Sequence, residues 1–571
     1  MPIEATLPPA LVMLAGALLV PLLPRSYRPY ISILVPLLAL GLVRTAPSGV
    51  NLTLELMDYQ LVVYKVDRLS RLFGTIFALI TFIGSLFAFH VKESAEQSAA
   101  LLYAAGALGV TFAGDLITLF VFWELMSLPS TYLIWARGAP ESGKAGMRYL
   151  MFHVFGGGLL FAGILAHTGE TGSILIEQLT ARDSLSSWVI LAGVAVNAAV
   201  VPLHAWLSDA YPKATVTGAV FLSALTTKTA VYVLLRIFPG WEILIYLGVL
   251  MALYGVVFAV LANDIREILA YHIISQVGYM VAGAGIGTEM AINGASSHAF
   301  SHILYKALLF MGAGAVLQTT GKSKLTELGG LAKKQPFILW LYMIGAFSIS
   351  GFPLFNGFVS KSMVVAAAGE AHHRAVMLLL MLASVGTFLH TGLKLPYGTW
   401  YGENRGISPL PPPRNMYLGM ATAAFFCILH GVAPGLLYDM LPYAVHFVPY
   451  TFSHLVEISQ GVIFTFAAFW IFRKAVAGET GITLDVDWFY RRSAKWAQRI
   501  FLEDLEAAFD KVETLSMDIV SKLSLLSNNP MLLFNKSGGR NFSPDAYRSG
   551  IQTLILLVLF VFVLISLWGL L

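Results

Sequence analysis

Apolar stretches of about 20 residues recur along the chain, and they constrain its fold more than any other feature. A helix of this length spans the hydrocarbon core of a membrane, whereas barrel strands would show alternation over about ten residues. Only helices and closed barrels satisfy their backbone hydrogen bonds within a bilayer, so continuous apolar runs predict membrane-spanning helices. The sixteen candidates are residues 7–23, 29–46, 66–90, 97–113, 115–136, 147–168, 187–207, 215–237, 242–262, 268–286, 292–317, 336–354, 375–396, 415–433, 455–473 and 551–571.

Charged residues are scarce. The 571 residues include 36 Lys and Arg and 32 Asp and Glu, which make up 12% of the chain, beside 57% hydrophobic residues. Soluble domains carry about 25% charged residues, so a soluble multidomain protein and a disordered chain are both excluded. Some of the candidate stretches are short enough to be halves of broken helices. The sequence therefore predicts an all-α polytopic membrane protein with about 14–16 transmembrane helices.

Several classes of chemistry are not supported by the sequence. The net charge of +4 is small and scattered, which gives no case for nucleic acid. The single cysteine, Cys427, cannot form an intrachain disulfide or a cysteine-based metal or iron–sulfur site. Neither a G-x-x-x-x-G-K-[ST] loop nor a G-x-G-x-x-G or C-x-x-C-H motif is present. We expect no cofactor and no metal, so energy must come from an ion gradient or from a partner subunit.

Two segments depart from the pattern of spans. Residues 50–65 alternate like a β-hairpin that caps one face of the helices. Residues 476–550 carry 19 of the 68 charges, with apolar residues at helical spacing, which indicates an amphipathic helix too polar to span a membrane. We expect it to lie at the membrane interface or along other helices, with residues 551–571 as its anchor. The alternative is a soluble tail that folds on itself.

Charges inside apolar stretches are candidate functional residues, because a charge at a bilayer centre costs roughly 2.5–3.5 kcal/mol. Glu124 lies in the middle of LITLFVFWELMSLPSTYLIW, too far from either end to reach water easily. The alternative is a carboxylate that only supports packing. Asp115, at the start of the same stretch, is better explained as a charge at a helix N-terminus.

A second candidate region combines a lysine with a predicted helix break. Lys228 lies fourteen residues into its stretch, and Pro202 is expected to break the preceding helix and free backbone carbonyls. Asn197 precedes that proline by five residues and is uncharged. His204 follows the break and is either an interfacial histidine or part of a proton path.

The third region is ASSHAFSHILYKALLF, which spaces His298, His302 and Lys306 by four residues. Residues at this spacing share one face of a helix. A lysine repels metal cations, so the trio makes a poor metal site. It makes a good proton path, because imidazoles titrate near neutral pH. The alternative is a set of satisfied core residues.

Two further stretches carry lysines near glycine or proline. Lys361 follows SISGFPLFNGF, an interrupted run of the kind that lines cavities in transporters, or it is an interfacial anchor. His390 and Lys394 are again four apart, and Pro396 is expected to break their helix two residues later. The alternative for Lys394 is a side chain that reaches the membrane surface.

Six motifs occur in order along the chain: FWELMSLPS, PLHAWLSDAYPKA, LTTKTAVY, NDIREILAYHIISQVGY, H-x3-H-x3-K-ALLF and GFPLFNGFVSK. With these motifs the chain resembles a known family, the antiporter-like membrane subunits, from about residue 66 to residue 400. The family comprises the D-type subunits of Mrp Na⁺/H⁺ antiporters, the proton-pumping membrane subunits of respiratory complex I and those of membrane-bound hydrogenases.

The resemblance implies a fourteen-helix core with two inverted five-helix repeats, each containing broken helices. With the composition of the C-terminal region, it divides this chain into six segments. These are N-terminal helices in 1–96, the first repeat in 97–262, the second in 263–433, a last core helix in 434–475, a lateral segment in 476–550 that braces neighbouring subunits, and an anchor in 551–571.

The resemblance also implies roles for individual residues. Glu124, Lys228 and the histidine-rich helix would carry protons at mid-membrane, and Lys394 would be the lysine of the second broken helix. Arg266 stands where many members carry lysine. Asn197 departs from the family, which usually has a lysine there that pairs with the glutamate. Glu124 would then pair with another cation, such as Lys228, or be protonated at rest.

The sequence thus predicts a cation- or proton-translocating subunit of a larger complex in a bacterial or archaeal plasma membrane. Its functional type would be the D-type subunit of an Mrp Na⁺/H⁺ antiporter, with protons, Na⁺ and other membrane subunits as partners. One alternative is a pumping subunit of a NADH–quinone oxidoreductase-like or hydrogenase-like complex. Another is a non-pumping bridging subunit, which the departure at Asn197 supports.

Overall fold

The computed structural model describes residues 7–180, 184–473, 484–528 and 550–568. The chain divides into two compact units, Met1–Asp485 and Val486–Leu571, and each is described by itself. Within the described residues, regular structure is helical apart from one two-stranded sheet.

In the first half of the larger unit, the residues that the structure describes form ten α-helices. They are α1 (Pro9–Leu19), α2 (Arg28–Thr45), α3 (Arg68–Phe87), α4 (Ser94–Phe112), α5 (Leu116–Trp135), α6 (Pro140–Thr171), α7 (Leu185–Asn197), α8 (Ala205–Ala210), α9 (Gly218–Ala224) and α10 (Thr226–Ile237). Several begin at a side-chain cap. Asp67, for example, accepts a hydrogen bond from Ser70 N at the start of α3.

In the second half of this unit, nine α-helices lie within the described residues. They are α11 (Glu242–Leu261), α12 (Ile265–Ile286), α13 (Glu289–Thr320), α14 (Pro336–Ser350), α15 (Asn356–Glu370), α16 (Arg374–Thr387), α17 (Arg414–Val432), α18 (Gly435–Tyr438) and α19 (Phe452–Phe472). Helices α12 and α13 are enclosed by the others almost completely. They are therefore the centre of the core, and the polar residues that they carry are shielded from the lipid.

The prediction of an all-α polytopic membrane protein is confirmed. Among the described residues, 11 helices are long and apolar enough to cross a membrane. Four shorter apolar helices accompany them, at Pro9–Leu22, Leu185–Asn197, Pro336–Ser350 and Thr553–Ser566. The number of spans stays a prediction at 14–16.

The predicted hairpin is present and packs on the start of a central helix. Strands β1 (Gly49–Leu56) and β2 (Tyr59–Val66) pair antiparallel. Gly114 N donates to Val62 O at 2.8 Å, and Val62 N donates to Asp115 Oδ2 at 2.8 Å. Asp115 also accepts from Thr118 N at 2.7 Å, which caps α5 as its position suggested.

Helices are interrupted at two of the predicted positions. Residues 198–204 separate α7 from α8, which confirms the break expected around Pro202. Residues 351–355 separate α14 from α15, and Gly351 there has a φ of 74°, a conformation that glycine adopts without strain. A further irregularity at Leu225 separates α9 from α10.

One expected break is absent. The prediction that Pro396 ends its helix is wrong, because the helix runs from Arg374 to Tyr401. Residues Phe388–Lys394 and Tyr397–Tyr401 form π-helical turns. In a π turn the hydrogen bonds connect residues five apart, and this altered pattern lets a helix continue past a proline, which has no N–H to donate.

Two helix pairs are built alike. In the first pair, α5 begins after Asp115 and α6 is a 32-residue helix that ends at Gly172. In the second pair, α12 begins after Asp264 and α13 is a 32-residue helix that ends at Gly321. In both pairs the aspartate caps its helix and forms an isolated antiparallel bridge with the segment that follows the long helix. Such matched pairs are what the predicted repeats would produce, and the inversion of the repeats stays a prediction.

The described residues of the smaller unit form three helices. They are α20 (Asp487–Gln498), which continues through a π-helical turn at Arg499–Asp504, α21 (Leu505–Asn528) and α22 (Ile551–Trp568). α20 and α21 form most of the predicted amphipathic segment. Residues 474–483 and 529–549 of that region lie outside the described residues. A bracing role for this segment stays a prediction.

The aspartate that caps α5 and binds the hairpin is expected to stabilise the fold. Asp115→Ala removes the cap and leaves Val62 N without its acceptor, so we expect a loss of at least about 1–2 kcal/mol. Cys427 is fully buried and is the only cysteine, so a thiol-reactive dye reports unfolding of the full-length chain on heating. Glu93→Ala is the matched control, because Glu93 precedes α4 without any capping hydrogen bond from its side chain. Equal midpoints of thermal unfolding for Asp115→Ala and Glu93→Ala would contradict this prediction.

Candidate functional site

The carboxyl group of Glu124 lies between α5 and α6, against a glycine. A Cβ atom added to Gly157 would overlap Glu124 Oε1. This oxygen is buried and has no hydrogen-bond partner among the described residues. The missing side chain at Gly157 therefore provides the space that the Glu124 carboxyl group occupies.

Asn197, where the family usually has lysine, is paired with a histidine that the sequence analysis did not single out. Asn197 is the last residue of α7, and its Oδ1 lies 2.8 Å from Nδ1 of His153 on α6. The His153 ring packs on Tyr149, with ring centroids 4.1 Å apart, and on Trp206 at 4.7 Å. All four residues are buried. His153 could have been identified from the sequence as a histidine that lies in an apolar stretch, shortly before a run of glycines.

Lys228 lies directly after the irregularity between α9 and α10. Its Nζ donates to Ser223 O at 2.6 Å and to Thr227 Oγ1 at 3.0 Å. Ser223 is in the last turn of α9, where backbone carbonyls lack partners within the helix. Among the described ion pairs none joins Lys228 to Glu124, so the cation that the resemblance suggested for the glutamate is bound elsewhere in this structure.

The structure brings His298, His302 and Lys306 together on one buried face of α13. His298 Nδ1 lies 3.2 Å from Ser360 Oγ, and its Nε2 lies 3.5 Å from Tyr305 OH. The centroids of the two imidazole rings are 6.3 Å apart. Neither His302 nor Lys306 has a side-chain hydrogen-bond partner among the described residues. Buried polar groups usually have partners, so these two are strong candidates for function.

Lys361 lies in α15, after the second break, and its side chain binds the end of α14. Its Nζ donates to Ile349 O, in the last turn of α14, at 2.6 Å and to Ser384 Oγ at 3.3 Å. The ammonium also lies 5.4 Å from the centroid of the Tyr279 ring. Lys361 lines a cavity of about 490 Å³ between α14, α15, α16 and α19. It is thus the lysine that follows the second break, whereas the resemblance assigned Lys394 to that position.

Lys394 lies on the next helix, in the π-helical stretch. Its Nζ donates to Val260 O at 2.5 Å and to Ala262 O at 3.3 Å, at the end of α11. His390 is one turn away and is buried, and its ring lies 5.6 Å from that of His272 on α12. His272 is fully buried and neither ring nitrogen has a partner among the described residues. The sequence analysis passed over His272 although it is part of the motif NDIREILAYHIISQVGY.

His204 follows the first break and binds an aspartate that the sequence analysis did not identify. His204 Nε2 lies 3.2 Å from Asp485 Oδ1, and Tyr271 OH donates to Asp485 Oδ2 at 2.7 Å. Tyr254 donates a further hydrogen bond to Oδ1. Burial acts to raise the pKa of Asp485, but the hydrogen bond and charge of His204, together with the tyrosine hydroxyls, lower it to about 2.

Arg266 supports the second half of the first broken helix. Its guanidinium donates to the carbonyls of Tyr211, Ala214 and Thr215 at 3.0–3.2 Å. These carbonyls belong to the segment between α8 and α9. Arg266 therefore positions this segment, and it does so from the base of the central helix α12.

Comparisons with known proteins identify the family of the chain. The sequence profile described as NADH:quinone oxidoreductase/Mrp antiporter, TM, matches residues 113–389. The D-type subunit of the Na⁺/H⁺ antiporter of Alkalihalophilus pseudofirmus is 33% identical over 343 residues, which cover 55% of this chain and 69% of that protein. The chain belongs to this family. The N-type subunit of the NADH-quinone oxidoreductase of Desulforudis audaxviator is 33% identical over 317 residues, covering 51% of this chain and 62% of that protein.

The fold also agrees with solved structures. A chain in the Mrp complex of a Dietzia species superposes with a TM-score of 0.68 at 24% identity, covering 80% of this chain and 100% of that one. A chain of the archaeal membrane-bound sulfane sulfur reductase gives 0.69 at 24% identity, covering 80% of this chain and 98% of that one. The family that the ordered motifs suggested is therefore confirmed.

The contact between Glu124 and Gly157 can be tested by adding one methyl group. Gly157→Ala forces the carboxyl group to move, and we expect a loss of about 1–3 kcal/mol, as for other overpacked sites. Gly158→Ala is the control, because no atom lies within 4 Å of a Cβ there, and alanine favours a helix by up to about 1 kcal/mol. The measurement is the thermal unfolding of the full-length chain. In a Glu124→Ala background the cost of Gly157→Ala should disappear, and a cost that persists would show that another contact is responsible.

The Asp485 interaction predicts a dependence of stability on pH. The folded-state pKa of about 2 lies below the ordinary value of 3.8, so the stabilisation is complete above pH 3.8. It is lost as the pH falls towards 2, because the unfolded chain binds the proton first. We expect Asp485→Asn to lower the unfolding midpoint near neutral pH and to have a diminishing effect between about pH 4 and pH 2. An effect that is independent of pH would mean that the charge of Asp485 does not contribute.

Proposed function

We propose that this chain is a proton-translocating, cation/proton-coupled subunit of a multisubunit membrane complex, of the same type as the D-type subunit of an Mrp Na⁺/H⁺ antiporter. The observation that carries this proposal is the buried, unpaired ammonium of Lys306, on one helix face with two buried histidines. A fully packed structural lysine would have a carboxylate or several acceptors around it. Lys306 instead lies in the central helix, between the two broken helices.

The titratable groups form a series through the core. Glu124 and Lys228 lie in the first half, the α13 face lies at the centre, and His272, His390 and Lys394 follow in the second half. Carboxyl, imidazole and amino groups all bind and release protons, as a proton path requires. A charge gained at one group changes the proton affinity of the next, because interactions between charges are strong where water is excluded. This electrostatic coupling would link proton movement to events in partner subunits.

The helix ends support lysines that change their charge. A cation at a helix C-terminus gains up to about 2 kcal/mol, whereas a charge at the centre of a bilayer costs roughly 2.5–3.5 kcal/mol. These two values are of similar size and opposite sign. Lys228 and Lys394, which donate to carbonyls at helix ends, are therefore able to bind and release a proton at a low energetic cost.

Related proteins come from both antiporters and redox complexes, such as hydrogenase-4 component B of Escherichia coli at 27% identity over 434 residues. The lack of redox-cofactor motifs in this chain is compatible with both types. The subunits that copurify with the chain distinguish them. Small antiporter subunits would support the Mrp type, and hydrogenase or quinone-reductase subunits would support the alternative.

The proposal is tested by proton movement in vesicles that contain the intact complex. We expect Lys228→Ala, Lys306→Ala and Lys394→Ala to reduce it to the passive leak, because each removes a group that binds a transferred proton. Lys144→Ala, at the exposed start of α6, is the control. Assembly of each variant into the complex is checked on native gels. Unchanged proton movement in assembled Lys228→Ala and Lys394→Ala complexes would favour the non-pumping bridging subunit.

A further inference from the structure

We propose that His153 is a proton carrier between Glu124 and Lys228 in the first half of the chain. This inference rests on the proposed function and assigns a role to a residue that neither the motifs nor the spacing of charges had suggested. It also explains how the chain functions with an uncharged residue at position 197.

The hydrogen bond with Asn197 determines which nitrogen of His153 is free to accept a proton. The amide oxygen of Asn197 only accepts hydrogen bonds, so Nδ1 of His153, 2.8 Å away, must donate. Nε2 is then the basic nitrogen of the neutral ring. This atom is buried and has no hydrogen-bond partner among the described residues. Asn197 thus holds His153 in the tautomer that accepts a proton at Nε2.

The Glu124 carboxyl group contacts α6 at Gly157, about one helical turn after His153. The carboxyl group packs against Gly157, which is four residues after His153 on α6 and shares its face. Four residues correspond to about 6 Å along the helix axis, and we infer that a bridging water joins the two groups. Both groups have an unpaired buried atom, Oε1 in one and Nε2 in the other. The geometry therefore makes Glu124 the neighbouring proton donor.

On the other side, the hydroxyl groups of Tyr149, Thr226 and Thr227 lie between His153 and Lys228. The His153 ring packs on Tyr149, whose OH lies 3.3 Å from Thr226 Oγ1. The next residue, Thr227, accepts a hydrogen bond from Lys228 Nζ at 3.0 Å. His153 is thus located between the acid and the lysine, along a polar line through an otherwise apolar region.

The matched helix pairs provide an independent observation. His153 lies 38 positions after Asp115, and His302 lies 38 positions after Asp264. The two histidines therefore occupy the same place in α6 and α13. By the same count Gly157 corresponds to Lys306. In the second pair this position is Lys306. In the first pair it is Gly157, and the carboxyl group of Glu124 packs against it.

The transfer involves one proton and no other bond. Protonated Glu124 gives its proton to Nε2 of His153, which leaves a carboxylate and an imidazolium. The Nδ1–H bond to Asn197 becomes charge-assisted and stabilises the imidazolium. The imidazolium then gives the proton to the neutral amine of Lys228, which becomes an ammonium, and His153 returns to its neutral form.

The titratable groups around His153 are few. Tyr149 faces it from α6, Glu124 approaches from α5 and Lys228 lies beyond Thr226 on α10. On α8 the carboxylate of Asp209 is already paired with Arg148 at 2.7 Å and with Lys213 at 2.5 Å. A change in the pH dependence of transport on mutation of His153 or its partner Asn197 is therefore attributable to this group.

The test compares two histidines on the same helix. His153→Gln keeps a side chain that is able to donate to Asn197 but cannot carry a proton, and we expect it to lower proton movement in vesicles about 100-fold. His167→Gln, near the end of α6, should have no effect. Wild-type proton movement in an assembled His153→Gln complex, with loss of it in Glu124→Gln, would overturn this inference. If proton movement also stays at the wild-type level in assembled Glu124→Gln and Lys228→Ala complexes, the proposed function is overturned instead.

A second variant covers the case in which His153→Gln does not assemble. Asn197→Asp places a carboxylate beside Nδ1 and favours the imidazolium, so the pH profile of transport should shift upward by about one unit or more. A structural role for the pair would not shift this profile. An unchanged profile in the assembled Asn197→Asp complex would therefore overturn the inference.

Discussion

Buried lysines that donate to backbone carbonyls at helix ends are the interaction on which this structure depends. The last carbonyls of any helix lack partners within the helix, and an apolar surrounding supplies none. Lys228, Lys361 and Lys394 donate to carbonyls in the last turns of α9, α14 and α11. Each interaction satisfies a helix end and an ammonium at once. The interrupted helices and the buried cations are therefore parts of one arrangement, and neither would be stable without the other.

Lys306 differs from these three lysines, and the difference points to the centre of the site. It lies in the interior of the continuous helix α13, where the backbone carbonyls bond to the following turn. No acceptor among the described residues binds its ammonium. The first half of the chain has the opposite arrangement at the matching place, with Gly157 on the long helix and the Glu124 carboxyl group against it. One half thus presents a base and the other an acid at corresponding positions.

Much of the fold and of the candidate site could be predicted from the sequence, because the relevant signals are local. Apolar runs indicate spans, alternation indicated the hairpin, and proline and glycine indicated the two breaks. The face shared by His298, His302 and Lys306 follows from their spacing alone. Pro396 was misleading for a local reason, since π-helical turns lie on either side of it and the helix continues. The family itself was evident from six short motifs in order.

The sequence by itself determined the class of protein, the family and the charged residues that an apolar environment makes exceptional. Only the tertiary structure decided which groups are neighbours: Asn197 with His153, His272 with His390, and His204 with Asp485, 281 positions away in sequence. The physical reason is that periodicity relates residues on one helix, whereas proton transfer depends on distances between side chains of different helices. Those distances are determined by packing, and no spacing along the chain contains them.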